Sequence, residues 1–360
     1  MPPPLPPPIE RRSSARPLSR SIMRGLPELR ELLILADHLH GLAEVETLAE
    51  IRHGPDLFPL IAIRFGPANR HLPTLALFGG VHGLERIGTR VVLAHLRTLL
   101  ESVRWDRLTQ ALLANTRLLL VPLVNPVGMY LQRRANGNHV DLMRNAPVEA
   151  EGIKSWQLYA GHRLTPRLPW YRGALDTPME AEGQAVCEYV RKEMFSAPVA
   201  LSVDVHSGYG RVDRLWFPYA RTRNPIPALP EAVALKHLFD RTYPNHIYCM
   251  EPQSCQYLAH GDLWDHLYDE FLATGSNGLF LPFTLELGSW VWVRKNWRQM
   301  FSLLGIFNPH LPHRVRRTLR RHWVLFDFLH RAVHSPEPWL GHDKEARERL
   351  RGQGLKLWYP

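Results

Sequence analysis

The run Thr74–Phe78 is apolar and stops on Gly79-Gly80. From Glu85 to Leu100 the apolar residues Ile87, Val91, Ala94, Leu96 and Leu99 then recur on or near one helical face. A strand that feeds a helix in this way commits a chain to layers of helix over sheet. The alternation continues: Leu60–Phe65, Arg117–Leu123, Val199–Val205, His246–Met250 and Phe283–Leu287 have strand character. Thr177-Pro178-Met179-Glu180 reads as a capping box with proline at the first helical position, opening a helix to about Met194. Strands separated by helices predict an α/β chain whose sheet is covered on both faces, with some parallel pairing.

At 360 residues the chain has length for one large or two ordinary domains and buries a core without disulfides. Three cysteines, Cys187, Cys249 and Cys255, exclude a disulfide scaffold and a cysteine-based zinc finger, and suit a reducing, cytoplasmic setting. Cys249 and Cys255 are near enough in sequence to pair locally. Residues 1–22, rich in Pro, Arg and Ser, read as a disordered leader without the apolar stretch of a secretory signal; a docking peptide for a proline-binding domain is the alternative. Residues 23–335 read as a single catalytic domain and 336–360 as a loosely packed tail. No run approaches the ~18 apolar residues of a membrane span.

The net charge of +10 permits nucleic acid, a membrane surface or acidic small molecules as partners without choosing among them. Arg314 to Val333 reads as one amphipathic helix with Arg314, Arg317 and Arg321 together on one side. The expectation is a solvated face of a helix docked on the core; the alternative is a patch for nucleic acid or anionic membrane.

Chemistry concentrates at four places. Gly79-Gly80-Val81-His82-Gly83-Leu84-Glu85 sets an imidazole and a carboxylate three apart where strand passes into helix. Zinc in catalytic sites takes three protein ligands, often two His and one Glu, but His-x-x-Glu alone is a weak signal in a chain with 19 histidines. Asp204-Val205-His206 brings a second histidine to the carboxyl end of another strand, where sites of open sheets gather. In Phe283–Leu287 an acid, Glu286, interrupts an apolar run; a carboxylate there is costly unless paired with an arginine or used, for instance as a general base with a raised pKa. Arg134 and Arg144 flank Asp141. An arginine near zinc can stabilise an oxyanion or hold a substrate carboxylate, and an aspartate can orient a ligating imidazole; a surface loop is the alternative for each.

Taken in order, His82-x-x-Glu85, Arg134-x-Asn136, Val140-Asp141-Leu142-x-Arg144-Asn145, Asp204-x-His206 and Thr284-x-Glu286 resemble the zinc carboxypeptidase family over roughly residues 55 to 300. The resemblance implies a three-layer α/β/α fold with a twisted, mixed, largely parallel sheet and one zinc ion. It assigns His82, Glu85 and His206 as metal ligands and Glu286 as general base. It makes Arg134 the carbonyl-polarising arginine and Arg144, with Asn145, the holder of a substrate carboxylate. Asp141 becomes the hydrogen-bond partner of the first histidine, Tyr257 a substrate-capping tyrosine, and Trp264 and Thr284 pocket residues.

One position departs from the pattern. Met143 stands where the family usually has Asn before the carboxylate-binding arginine, and Met donates no hydrogen bond. Such a bond is worth about 1.5–3 kcal/mol. The expected activity is hydrolysis of an amide bond beside a carboxylate-bearing residue, on a peptide or N-acyl amino acid. The alternatives are a deacylase or amidase of small N-acyl amino acids and, in another class, a catalytically idle basic protein that binds nucleic acid. An intact ligand triad with Glu286 argues against the last.

Overall fold

The computed structural model describes residues 19–359 apart from Ser155, Tyr209 and His342. Eight strands make one mixed sheet: β1 (Glu44–His53), β2 (Asp56–Phe65), β3 (Thr74–Gly79), β4 (Arg117–Val121), β5 (Val199–Gly208), β6 (Asp213–Phe217), β7 (Tyr248–Pro252) and β8 (Leu279–Gly288). Their order across the sheet is β1-β2-β4-β3-β5-β8-β6-β7. The central strands β4, β3, β5 and β8 run parallel, while β1, β2 and β6 introduce antiparallel pairs. Every residue of β3 is buried, as is nearly all of β5, so both faces of the sheet are covered at its centre. The architecture is the expected three-layer α/β fold.

In chain order the helices are α1 (Arg20–Gly25), α2 (Pro27–Asp37), α3 (Arg86–Ser102), α4 (Arg107–Asn115), α5 (Pro126–Tyr130), α6 (Ala181–Met194), α7 (Leu229–Thr242) and α8 (Leu263–Ala273). Then follow α9 (Trp290–Lys295), α10 (Leu303–Phe307), α11 (Pro312–Arg321), α12 (Trp323–His334), α13 (Glu337–Leu340) and α14 (Lys344–Trp358). Helices α3 and α12 pack on β3 and β5, while α6 meets β1 and α8 meets β8.

Four expectations change. The capping box at Thr177 does not form: the Thr177 hydroxyl donates to the Ala174 carbonyl, Asp176 takes a positive φ, and α6 starts at Ala181. The span from Arg314 to Val333 is two helices, divided at His322. That residue is fully buried, with its ring against the Tyr248 hydroxyl at 2.9 Å, and the chain turns there to keep it inside. Of its three noted arginines, Arg314 donates to the Trp292 carbonyl and Arg321 pairs with Asp213, which leaves Arg317 in solvent.

The stretch 336–360 is not a loose tail in its described part. Its apolar period is weak, but Trp339 and Trp358 anchor it through indole hydrogen bonds to Ala332 and Met250, and α14 lies along α7. Residues 1–18 of the leader lie outside the described residues; 20–22 belong to α1, with Ile22 in the core. All three cysteines are unpaired, Cys249 and Cys255 included.

Candidate metal centre and cleft

The strand-to-helix turn after β3 depends on two close approaches. Gly80 has φ of +69°, and a Cβ there would lie 2.3 Å from the Thr89 hydroxyl. A Cβ on Gly83 would lie 2.1 Å from the backbone of Gly128, on the segment that leads to Arg134. Asn125 pins the same turn, donating from its amide to the Val81 carbonyl at 3.1 Å and capping α5 through the Gly128 N–H. Glu85 sits at the N-cap of α3 without capping it. Asn308 takes over instead: its side-chain oxygen accepts from Ile87 N–H at 2.9 Å and its amide donates to the Leu84 carbonyl. The Glu85 carboxylate is thereby released toward the histidines. Sequence reasoning missed Asn308, which lies 221 positions from the turn it completes.

His82, Glu85 and His206 are buried and converge, with one donor atom from each within 4.8 Å of the others. Nδ1 of His82 lies 2.9 Å from Glu85 Oε1, Nδ1 of His206 lies 3.1 Å from Glu85 Oε2, and the two Nδ1 atoms are 3.2 Å apart. Each ring is held from behind: His82 Nε2 faces Asp141 Oδ1 at 3.0 Å, and His206 Nε2 faces Asp204 Oδ2 at 2.8 Å. A neutral imidazole that donates its Nε2–H to a carboxylate presents a lone pair at Nδ1. Two lone pairs and a carboxylate then point at one another, an arrangement of acceptors that a shared cation satisfies. The donor set suits zinc.

In the metal-free site protons stand in for that cation. Burial opposes ionisation of Glu85, but His82 and His206 outweigh it and hold the carboxyl below its usual range. Burial likewise opposes ionisation of Asp141, and Arg134 and His82 overcome it. Burial disfavours the His206 cation, yet Asp204 and Glu85 pull its pKa well above the ordinary value. Asp204 was part of the sequence pattern without a role; its Oδ2 also accepts from the Trp264 indole at 3.0 Å. Replacing Asp204 with Asn should weaken zinc binding about 10–100-fold, because an uncharged amide oxygen is a weaker acceptor for the ring of His206 than the carboxylate. Competition against a chelating dye measures this, and unaltered affinity would show that Asp204 has no such part.

Glu286 on β8 stands in register with His206 on β5. Burial, then repulsion from Glu85, pushes its carboxyl up to about 8. Gly208 makes room for it: a Cβ there would lie 2.2 Å from Glu286 Oε1. Arg134 donates Nε to Asp141 at 2.8 Å and Nη1 to Glu85 at 3.2 Å, which leaves Nη2 without a protein partner among the described residues.

These groups floor a cleft of about 870 Å³, whose walls include Met143, Arg144, Tyr159, Trp216, Tyr257 and Thr284. Among the described residues the Arg144 guanidinium donates only to carbonyls, Met143 at 3.0 Å and Tyr159 at 3.4 Å, and it lies 5.8 Å from the Tyr257 ring centroid. Tyr257 also meets the edges of Trp216 and Tyr159. Two expected substrate residues are elsewhere. Asn145 is buried, and its amide bridges the Arg172 carbonyl and the Glu180 N–H, bracing the start of α6. Trp264 is buried against Phe78 and serves Asp204, not the cleft.

Residues 48–289 match the zinc carboxypeptidase family, peptidase M14. Among curated proteins the chain is similar to carboxypeptidase SOL1 of Arabidopsis thaliana, 28% identical over 116 residues, which are 31% of this chain and 24% of that protein. It is also similar to carboxypeptidase E of Caenorhabditis elegans, 32% identical over 182 residues, 46% of this chain and 37% of that one. These matches therefore span well under half of each relative. Among solved structures, bovine thrombin-activatable fibrinolysis inhibitor in complex with tick carboxypeptidase inhibitor superposes with a TM-score of 0.60 at 18% identity, covering 85% of this chain and 96% of that one. Carboxypeptidase A from Helicoverpa armigera gives 0.60 at 18% identity, over 84% and 71%. At such identity the likeness is one of fold.

Proposed function

The chain belongs to the zinc carboxypeptidase family, and on that premise we propose that it is a one-zinc hydrolase cleaving the amide bond next to a terminal, carboxylate-bearing residue. The observation that carries this is the meeting of His82 Nδ1, His206 Nδ1 and the Glu85 carboxylate, with both Nε2 atoms tied to aspartates. Bound there, a zinc ion supplies Lewis acidity, drawing electron density from a carbonyl oxygen and acidifying water.

The protein's own groups do the rest. Glu286, with its raised pKa, accepts a proton from water and returns it to the leaving nitrogen. Arg134 Nη2 donates to the oxyanion as it develops, while Nε and Nη1 keep the guanidinium in place. Arg144, which has no carboxylate partner among the described residues, receives that of the substrate, and Tyr257 beside it narrows the cleft and excludes water. The three unpaired cysteines support a cytoplasmic setting.

Met143 lines the cleft next to Arg144 and offers no donor. A carboxylate held from one side only is a weaker demand for a peptide C-terminus, which leaves small N-acyl amino acids as a second substrate class. Metal analysis with hydrolysis profiling, before and after chelation, tests the proposal. About one zinc per chain is expected, with turnover of free-acid peptides or N-acyl amino acids and none of their C-terminal amides. Equal turnover of acid and amide would remove Arg144 from its role, and metal-independent turnover would end the reading. Met143→Asn should lower KM for a free-acid peptide by about one to two decades, by adding the second carboxylate contact. Steady-state kinetics decide it.

A further inference from the structure

The basic charge is not spread evenly. From residue 287 to 326 there are eight lysines and arginines and no acidic residue, and from 152 to 175 there is again no acid. Both segments reach the cleft. Leu303 from the first and Leu168 from the second line it, and they are 66% and 42% exposed, which places them at its mouth. Their neighbours in the chain are equally open: Phe301 is 82% exposed, Leu164 71% and Trp156 69%. Single exposed apolar side chains are ordinary, but two segments that both reach the cleft and both carry several of them are not.

Cations stand among them. Arg133 and Arg167 are exposed on the cleft wall, and Arg294, Lys295 and Arg298 are exposed just ahead of Phe301. None of these five has an ion-pair partner among the described residues, whereas the arginines that hold the fold, such as Arg117, Arg134 and Arg321, do. The unpaired charge is therefore free for an outside partner.

We propose that the mouth of the cleft docks on an anionic lipid surface, with Phe301, Leu303, Leu164 and Trp156 entering the headgroup boundary and Arg294, Lys295, Arg298 and Arg167 meeting lipid phosphates. The combination selects this partner. Duplex nucleic acid is met chiefly through its charged phosphates, which offer few partners to a set of bulky apolar side chains. A bilayer takes both, apolar groups at the acyl boundary and cations at the headgroups. No helix among the described residues is long and apolar enough to cross a membrane, so the contact is one of surface. The inference concerns binding alone and stands whether or not the chemistry above is right.

The test is co-sedimentation of the full chain with vesicles of phosphatidylcholine, alone or with about one-third phosphatidylglycerol. Binding is expected only to the anionic vesicles. The variant Arg294→Ser/Lys295→Ser/Arg298→Ser should bind roughly 100-fold less, at about fivefold per cation. Removing Phe301 together with its exposed neighbour Met300, in Met300→Ser/Phe301→Ser with all charges kept, should weaken binding at least roughly tenfold. Thermal melts check that both variants fold. On the unaltered chain, brominated phosphatidylglycerol should quench tryptophan emission, which needs contact at acyl depth and no variant at all. Absence of sedimentation with anionic vesicles overturns the proposal. So does sedimentation without quenching and indifferent to the apolar pair, or tighter, salt-dependent binding to duplex DNA than to vesicles.

Discussion

Glu286→Gln should retain its zinc and lose roughly two to four decades of turnover. The amide keeps the shape of the carboxylate and its place beside Gly208, but it cannot take a proton from water. The loss should fall on kcat, because the other carboxylates among the described cleft residues are committed elsewhere: Glu85 to the two histidines, Asp141 and Asp204 behind the rings, and Asp262 at the N-cap of α8. The pH profile gives a second readout. Glu286 must be ionised to act as a base, so kcat/KM in the parent rises with pH through its ionisation, and the variant's residual rate should lack that limb. Stability should move the other way. The folded pKa is raised above the ordinary carboxyl value of 4.5 to about 8. The metal-free fold is therefore favoured by this group below about pH 4.5 and progressively penalised as pH rises toward 8. Metal-free Glu286→Gln escapes that penalty and should melt higher than the metal-free parent at pH 8. Undiminished turnover in the variant would take Glu286 out of the mechanism; a lower melting temperature would show that its burial is not a cost.

The candidate site residues were legible because each combines an unusual residue type with an unusual place. An acid within the apolar β8, a histidine at the end of β5 and a His-x-x-Glu on a glycine turn each break the local pattern, and the structure brings all of them to one end of the parallel strands. What stayed hidden belongs to partners remote in sequence. Asn308 as the surrogate cap of α3, and Trp264 as a donor to Asp204, satisfy polar groups across the fold, and nothing in their own neighbourhoods marks them. Asn145 shows the converse: a residue beside a cleft arginine turns its side chain away because the N–H of Glu180 needs an acceptor. Helix boundaries failed where burial overrode periodicity, at His322 in the long C-terminal helix and at the tryptophans that fasten α13 and α14.

His206→Ala should abolish stoichiometric zinc and with it detectable hydrolysis. Two donors remain, His82 Nδ1 and the Glu85 carboxylate, both from one turn, and they enclose only one side of the site. Structural and catalytic zinc sites require at least three protein ligands, so affinity should fall further than in Asp204→Asn, which keeps the ligand and only weakens the acceptor behind it. The comparison separates coordination from packing, since both changes disturb the same buried contact. Metal content after gel filtration should drop from about one per chain to near zero. Thermal melts give an independent measure: zinc at roughly a thousandfold excess over its Kd stabilises the parent by about 4 kcal/mol, and His206→Ala should gain almost nothing from the same addition. In metal-free protein the two melts should lie closer together than in loaded protein, because the ion accounts for most of the difference. If the variant bound zinc as tightly as the parent and showed the same stabilisation, the convergence of these three side chains would be a packing accident, and the ligand assignments would fail together.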